Sequence, residues 1–425
     1  MIDRNIFKIM LISVIMLFCG FVLIFFNQYH NAGEIKVSDF SYVPWLLAEI
    51  FLAFLIEFIL LKIKRNINLW LFPCAFFLAN FGLLSVGRIE YALIIPQIRW
   101  IILGMVAFFV TFHFEILIKK ILNYKYICGI LYVSLLSVAI FLGSDVNGIS
   151  NCITIGSIRF QPLEFAKIIF VFFLASYLGN YKNISEINDY NNSIIHQYDK
   201  QMFYLIAFML AIIFLLFFKA NDFGNALIFL IITLIIMYIK TANKFFIILS
   251  VILFFTILFL CYYMLPEAKT FFDAWINPWT LSSESSKKIV QSFFALGAGG
   301  VWGAGFTVGH PDFILDAYNY FIFSVIAEEF GLIGSVSLII INVLLFCQSV
   351  CVALKLKNNA EILLAFGIGA LFFLQVIVTL FSVTNVLPVT KTFLPFIGYG
   401  GSATISDFIM LGIIVSLSRK ENFND

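Results

Sequence analysis

Few side chains in this sequence can move a proton or hold a charge, and most of the chain around them is apolar. Glu164 and Lys167 stand three residues apart at the head of an apolar run, on neighbouring helix faces where they can pair. Ionisable groups at membrane depth are costly and normally meet one another or a polar cavity. The pair therefore reads either as a lock between helices or as a contact for an anionic substrate. Asp222, just before Phe223 and Gly224, reads first as the cap of the next helix and second as a contact. Glu328 and Glu329 lie about two turns into another run and about 100° apart around a helix, so one is expected to face the bundle interior while the other points elsewhere. Pro388, Pro395, Gly398, Gly400 and Gly401 imply non-helical backbone near the end of the chain. Such backbone survives beside lipid only where protein buries it or it lines a wet cavity. A re-entrant segment facing a substrate is one reading, and a plain external turn is the other. Glu49 and Glu57, two turns apart in an early run, read as helix contacts.

The elements that must position these groups follow from composition. Hydrophobic residues make up 62% and charged residues 12% of the 425, and the mean hydropathy is +1.03. A soluble domain carries about a quarter charged residues, so lipid is the solvent here. On the criterion of about 20 apolar residues per crossing, twelve spans are expected: 7–26, 43–61, 69–87, 98–118, 126–143, 161–179, 202–218, 223–239, 245–264, 321–346, 361–383 and 401–418. The runs are long and apolar on every face, unlike barrel strands of strict alternation, so the fold class is all-α. A net charge of +2 without a long basic run leaves no footprint for nucleic acid. The seven cysteines form no CxxC pair and the four histidines are scattered, so no metal site is expected and the cysteines read as small buried hydrophobes.

Lys and Arg fill every second gap: Arg4 and Lys8, then Lys62 to Arg65, Lys119 to Lys125, Lys240 and Lys244, Lys355 and Lys357, and Arg419 and Lys420. Cytoplasmic loops carry this excess, which places both termini in the cytoplasm. The longest polar gap, 265–320, then lies outside. It holds the cluster Gly297, Gly299, Gly300, Gly303 and Gly305; gaps of that length are functional or disordered, and the aromatic and glycine content argues against simple disorder.

From residue 69 onward the chain resembles the SEDS family of bacterial cell-wall proteins, the RodA, FtsW and SpoVE group. Asn147-Gly148 followed by Arg159-Phe160-Gln161-Pro162-Leu163-Glu164 and Lys167 is similar to its NG and FQPSE-x-x-K blocks. Asn221-Asp222-Phe223-Gly224 resembles QPD-[LF]-G. Gln291-Ser292 with Gly299, Gly300, Gly303 and Gly305 resembles QS and GGxxGxG. Phe321-Ile322-Phe323 with Glu328-Glu329-Phe330-Gly331 resembles DFIF and EE-[LF]-G, and Leu387-Pro388-Val389-Thr390 with Tyr399-Gly400-Gly401-Ser402 resembles LPVT and YGGS. The order of six blocks carries the assignment. It implies a ten-helix core over 69–425, preceded in 1–68 by two extra helices like those of an extended form.

The resemblance implies a bacterial inner-membrane enzyme that polymerises lipid II beside a class B penicillin-binding protein, amid membrane lipids. In that reaction the 4-hydroxyl of one disaccharide attacks the anomeric carbon of the growing glycan, whose polyprenyl diphosphate leaves. The implied substrate cavity takes in Gln161, Glu164, Lys167, Asp222, Gln291, Glu328, Pro388, Tyr399 and Ser402. No cofactor is securely implied, a divalent cation staying open. The aspartate that the family is thought to use as base falls on Tyr320, and a phenol with a pKa near 10 is a poor base. Asp316, one helical turn earlier, is the substitute candidate for the catalytic role. The family's Arg-Arg-Trp is here Ser150-Asn151-Cys152, and Lys287, Lys288 and Lys391 are candidates to restore the lost positive charge. A relative that binds lipid II or a partner without turnover is the alternative.

Overall fold

The computed structural model describes residues 2–32, 40–63, 67–146, 149–156, 158–179, 192–220, 222–279, 284–314 and 317–419. Asn147, Gly148 and Asp316 therefore lie outside the described residues. The N-terminal helices are α1 (Ile2–Ala32) and α2 (Val43–Lys62), followed by α3 (Leu71–Ile89), α4 (Ile94–His113), α5 (Glu115–Ile121) and α6 (Lys125–Leu142). Three short strands, β1 (Ser144–Val146), β2 (Ile149–Ile155) and β3 (Ile158–Phe160), lead to α7 (Pro162–Gly179). Then come α8 (Asn192–Ala220), α9 (Phe223–Thr241), α10 (Lys244–Met264), α11 (Pro266–Ile276), α12 (Glu284–Gly299), α13 (Ile322–Ala353), α14 (Asn359–Val383) and α15 (Gly401–Leu417).

Among the described residues, ten helices are long and apolar enough to cross a bilayer. The expected runs at 202–218 and 401–418 appear as the shorter apolar stretches Lys200–Leu216 and Gly401–Leu417. The expected run 98–118 is two helices, because the chain leaves helical geometry at Phe114 (φ −90°, ψ 34°) before α5 begins. The molecule is a polytopic helical membrane protein.

Packing sorts the helices. α3, α7, α14 and α15 are buried along most of their length, whereas α1, α2, α6 and α10 turn rows of large apolar side chains outward. In lipid, close packing rather than hydrophobicity selects helix partners, and small residues allow it. Gly412 of α15 meets Thr111 and the Phe108 carbonyl of α4, so α4 and α15 run backbone to backbone. The cysteine expectation needs correction: Cys19, Cys347 and Cys351 are exposed, on the outward faces of α1 and α13.

Two features were not anticipated. The strands form an antiparallel meander in the order β1-β2-β3, too short for an alternation signal. The gap 265–320 contains α11 and α12. Trp275 Nε1 donates to the Asn385 carbonyl and Asn385 Nδ2 returns a bond to the Trp275 carbonyl, both 3.0 Å, which ties α11 to the turn after α14.

The segment between α14 and α15 is the expected non-helical stretch, and it dips into the bundle. Thr392, Phe393, Leu394, Phe396 and Ile397 are buried, and the backbone of Ile397 abuts Gly82, well inside α3. Its polar backbone finds internal partners. Phe396 N donates to Asp407 Oδ2 (2.8 Å), Thr390 N donates to Ser382 Oγ (2.7 Å), and Tyr399 N donates to the Tyr318 carbonyl (2.9 Å). The re-entrant reading therefore holds over the external turn.

Candidate functional site

A cavity of about 220 Å³ opens where β3, the heads of α7 and α15 and the first turns of α4 converge. Strand alternation supplies part of its wall. In the β2–β3 pair Thr154 faces Arg159, so Cys152, two residues before Thr154, shares the side of Arg159. Gln161, two residues beyond Arg159, continues that side, while Phe160 stacks on Phe165 at 5.3 Å. Cys152, Arg159 and Gln161 accordingly line the cavity together. The opposite wall is Trp100, Tyr318, Phe393 and the run Tyr399 to Ser402. Gln161 N donates to Ser402 Oγ at 2.9 Å, joining the two sequence blocks. Gly401 is required because a Cβ there would press into the Trp100 ring at 2.6 Å.

The chemistry on offer is that of an anion and sugar site. Arg159 is the cationic residue among the described lining residues, and α15 begins at the cavity with no side chain capping its first turn. A helix start of this kind presents N–H donors and the positive end of the dipole. Trp100, Tyr318 and Tyr399 add aromatic faces and hydroxyls. Burial pushes the Tyr399 phenol up, the Arg159 guanidinium and a hydrogen bond with Trp100 pulling it partly back. Burial likewise raises the Cys152 thiol against the pull of Arg159. No carboxylate is among these lining residues.

The carboxylates gather one layer deeper. Lys167 Nζ meets Glu164 Oε1 at 2.7 Å with both side chains at most 1% exposed, and Lys167 also lies within electrostatic reach of Asp222 and Asp407. Asp222 is the cap that its position suggested: Oδ1 accepts from Asn225 N (3.1 Å) and Oδ2 from Asn225 Nδ2 (2.7 Å). Burial raises its carboxyl, opposed by those bonds and by Lys391 and Lys167. Tyr320 is 5% exposed and packs on Phe393 at 4.9 Å, behind the cavity wall. Beside it Asn319 is fully buried, its amide oxygen and nitrogen lacking partners among the described residues.

Of the expected site residues, Gln161, Tyr399 and Ser402 line the cavity, while Glu164, Lys167 and Asp222 form the deeper layer. Gln291 sits on α12 outside the lining, and its neighbour Ser292 bonds to Ser324 Oγ and the Val383 carbonyl. Pro388 is buried in the re-entrant segment away from the lining. Glu328 is also elsewhere, and instead of one acid being interior both are covered, because the 307–310 stretch bonds to each of them, and just beyond them α13 breaks. Gly331 has φ 63° and ψ −165°, and both acids are buried. The groups freed by the break are taken up by the glycine cluster. Ala304 N and Gly305 N donate to the Glu328 and Glu329 carbonyls (2.8 and 3.0 Å), and Leu332 N and Ile333 N donate to the Gly300 and Val301 carbonyls (3.0 and 3.3 Å). Trp100, Cys152, Tyr318 and Asp407 were missed. Only Asp407, an acid inside an apolar run, carried a signal.

A polytopic helix bundle with a re-entrant segment and a cavity near the ends of its helices defines an integral membrane protein of the all-α class. The chain belongs to the FtsW/RodA/SpoVE family, described as cell cycle proteins, whose model matches residues 67–423. It is 25% identical over 396 residues to the peptidoglycan glycosyltransferase RodA of Mycobacterium bovis, covering 89% of this chain and 84% of that one. It is 26% identical over 373 residues to the probable peptidoglycan glycosyltransferase FtsW of Coxiella burnetii, covering 84% and 97%. Among solved structures it superposes on a chain of a peptidoglycan synthase complex described as coordinating polymerization and crosslinking (TM-score 0.66, 22% identity, 84% of this chain and 99% of that one). It also superposes on the rod shape determining protein RodA of Thermus thermophilus (TM-score 0.58, 22% identity, 84% and 98%).

Proposed function

We propose that this protein binds lipid II at the cavity and polymerises its disaccharide into glycan. The cavity joining the FQP and YGGS blocks is the observation that carries this reading, because Arg159 and the start of α15 supply the positive field that a diphosphate needs. In the step proposed, the 4-hydroxyl of one disaccharide forms the new bond to the anomeric carbon, the bond to the polyprenyl diphosphate breaks, and a base accepts the hydroxyl proton. Asp316 is the proposed base, Tyr320 being ill suited. The partner is a class B penicillin-binding protein, supported by the likeness to a synthase complex chain. The chain reads as a family core from residue 69 behind a two-helix extension, with twelve crossings in a bacterial inner membrane and both ends cytoplasmic. Purified protein with its partner and labelled lipid II is expected to give polymer that disappears with Asp316→Asn. No polymer under conditions that activate another family member would sink the catalytic reading.

A second reading has an observation of its own. No described lining residue is a carboxylate, and the family's aspartate position holds the buried Tyr320. A relative that binds lipid II without turnover fits both facts, and predicts lipid II retention with no glycan and cellular function that survives Asp316→Ala.

A further inference from the structure

Arg88, at the end of α3, lies outside the cavity lining and makes three hydrogen bonds to one cluster. Its Nε donates to Glu329 Oε1 (3.1 Å), and its Nη2 donates to the carbonyls of Thr307 (3.0 Å) and Gly309 (2.9 Å). The two acids of α13 hold the same stretch from the other side. Glu329 Oε1 accepts from Thr307 N (3.2 Å), and Glu328 Oε1 accepts from His310 N (2.9 Å). Thr307 itself has φ 74°, a left-handed conformation that a β-branched residue adopts only under restraint. The Thr307 carbonyl also accepts from Asn27 Nδ2 of α1 at 3.4 Å, and α1 lies outside the 67–423 matched by the family model. Gly309 leaves no room for a side chain, since a Cβ would stand 2.9 Å from Glu329 Cγ and 3.2 Å from Glu328 Cδ.

The held stretch has two neighbours that matter. On its N-terminal side, residues 300–305 satisfy the broken backbone of α13; on its C-terminal side the chain continues to Tyr318, which lines the cavity and accepts from Tyr399 N. Arg88 is the cation paired with Glu329, whose also buried neighbour Glu328 is held by His310 N. Removing Arg88 leaves Glu329 buried beside Glu328 without its cation and takes a donor from the Thr307 and Gly309 carbonyls, which favours release of the stretch toward water.

We propose that Arg88 is a positioning residue that sets the 303–310 stretch, and with it the Tyr318 wall of the cavity, and that α1 braces this stretch through Asn27. The functional half of the proposal rests on the reading of the cavity as a lipid II site.

The test uses the full chain in lipid nanodiscs, with amide hydrogen exchange and labelled lipid II binding measured on the same samples. Arg88→Gln is expected to raise exchange at Ala304, Gly305 and Thr307 about tenfold or more, to leave α14 unchanged and to weaken lipid II binding about tenfold. Arg88→Lys, which keeps the charge but not the planar fork, should fall between. Asn27→Ala should raise exchange at Thr307 by less than Arg88→Gln. Unchanged exchange over 303–310, or a rise shared equally by α14, would overturn the proposal. A loosened stretch with lipid II binding intact would remove the positioning role while leaving the cavity reading in place. A wild-type chain that fails to bind lipid II would instead sink the cavity reading and this proposal with it.

Discussion

Arg159 is the cationic residue lining the cavity, while Lys391, one of three lysines expected to restore lost positive charge, lies within electrostatic reach of Asp222. Arg159→Gln should weaken lipid II binding roughly 10- to 100-fold, the loss of one charge-assisted contact. Titration of labelled lipid II at fixed salt measures it, and Arg159→Lys should keep more affinity. Tyr320→Asp poses the catalytic question. If the site is otherwise competent, the new base should raise polymer formation by roughly 10²–10⁴-fold, scored by glycan length after membrane insertion is checked. If Asp316 already serves, wild type polymerises, Asp316→Asn abolishes it, and the added carboxylate helps little or harms by repulsion. The sequence showed that the aspartate was absent. It could not show that the Tyr320 ring is sealed behind Phe393, because that contact joins segments more than seventy residues apart.

Secondary-structure elements divide by how local their causes are. Caps were legible: Asp222 opens α9 as its sequence position suggested, because the bonds lie within three residues. The break in α13 was not, since Gly331 inside an apolar run looks like any helix glycine and its rescuing partners come from about 30 residues earlier. Gly331 and a glycine of the cluster it meets therefore differ in character, which mutation can separate. Gly331→Ala puts a side chain at φ 63°, ψ −165°, against Gly303 N, and should destabilise by about 2–4 kcal/mol, combining backbone strain with disturbed cross-break bonds. Gly297→Ala lies in α12 with nothing within 4 Å of the added carbon and should be neutral or stabilising by about 0.5–1 kcal/mol. Thermal unfolding in detergent, comparing the two variants, checks both signs.

For the molecule as a whole, the apolar runs foretold most of the helix order, because crossing length is a property of sequence alone. The meander and the cavity were not foretold, since each depends on which short segments meet. The proposed orientation has a direct test. In a background without native cysteines, Trp302→Cys, 83% exposed in the wild-type structure, should react with an impermeant thiol reagent added to intact cells, and Lys355→Cys should react only after permeabilisation. Labelling of Lys355→Cys from outside would reverse the orientation and move the cavity to the wrong face for an external glycan.

The interruption at Gly331 also bears on how the protein sits in bilayers of different thickness. α13 counts 32 residues, which as one straight rod would measure about 48 Å against a hydrocarbon layer of about 30 Å. About 22 residues lie below the break, roughly 33 Å of helix, enough for a single crossing. The shorter piece before the break is bonded to residues 304 and 305, and the first residues after it to residues 300 and 301. Because residues 300–305 bond to both sides of the break, the joint is clamped, and a change in membrane thickness is expected to be met by tilt of the crossing rather than by flexing at Gly331.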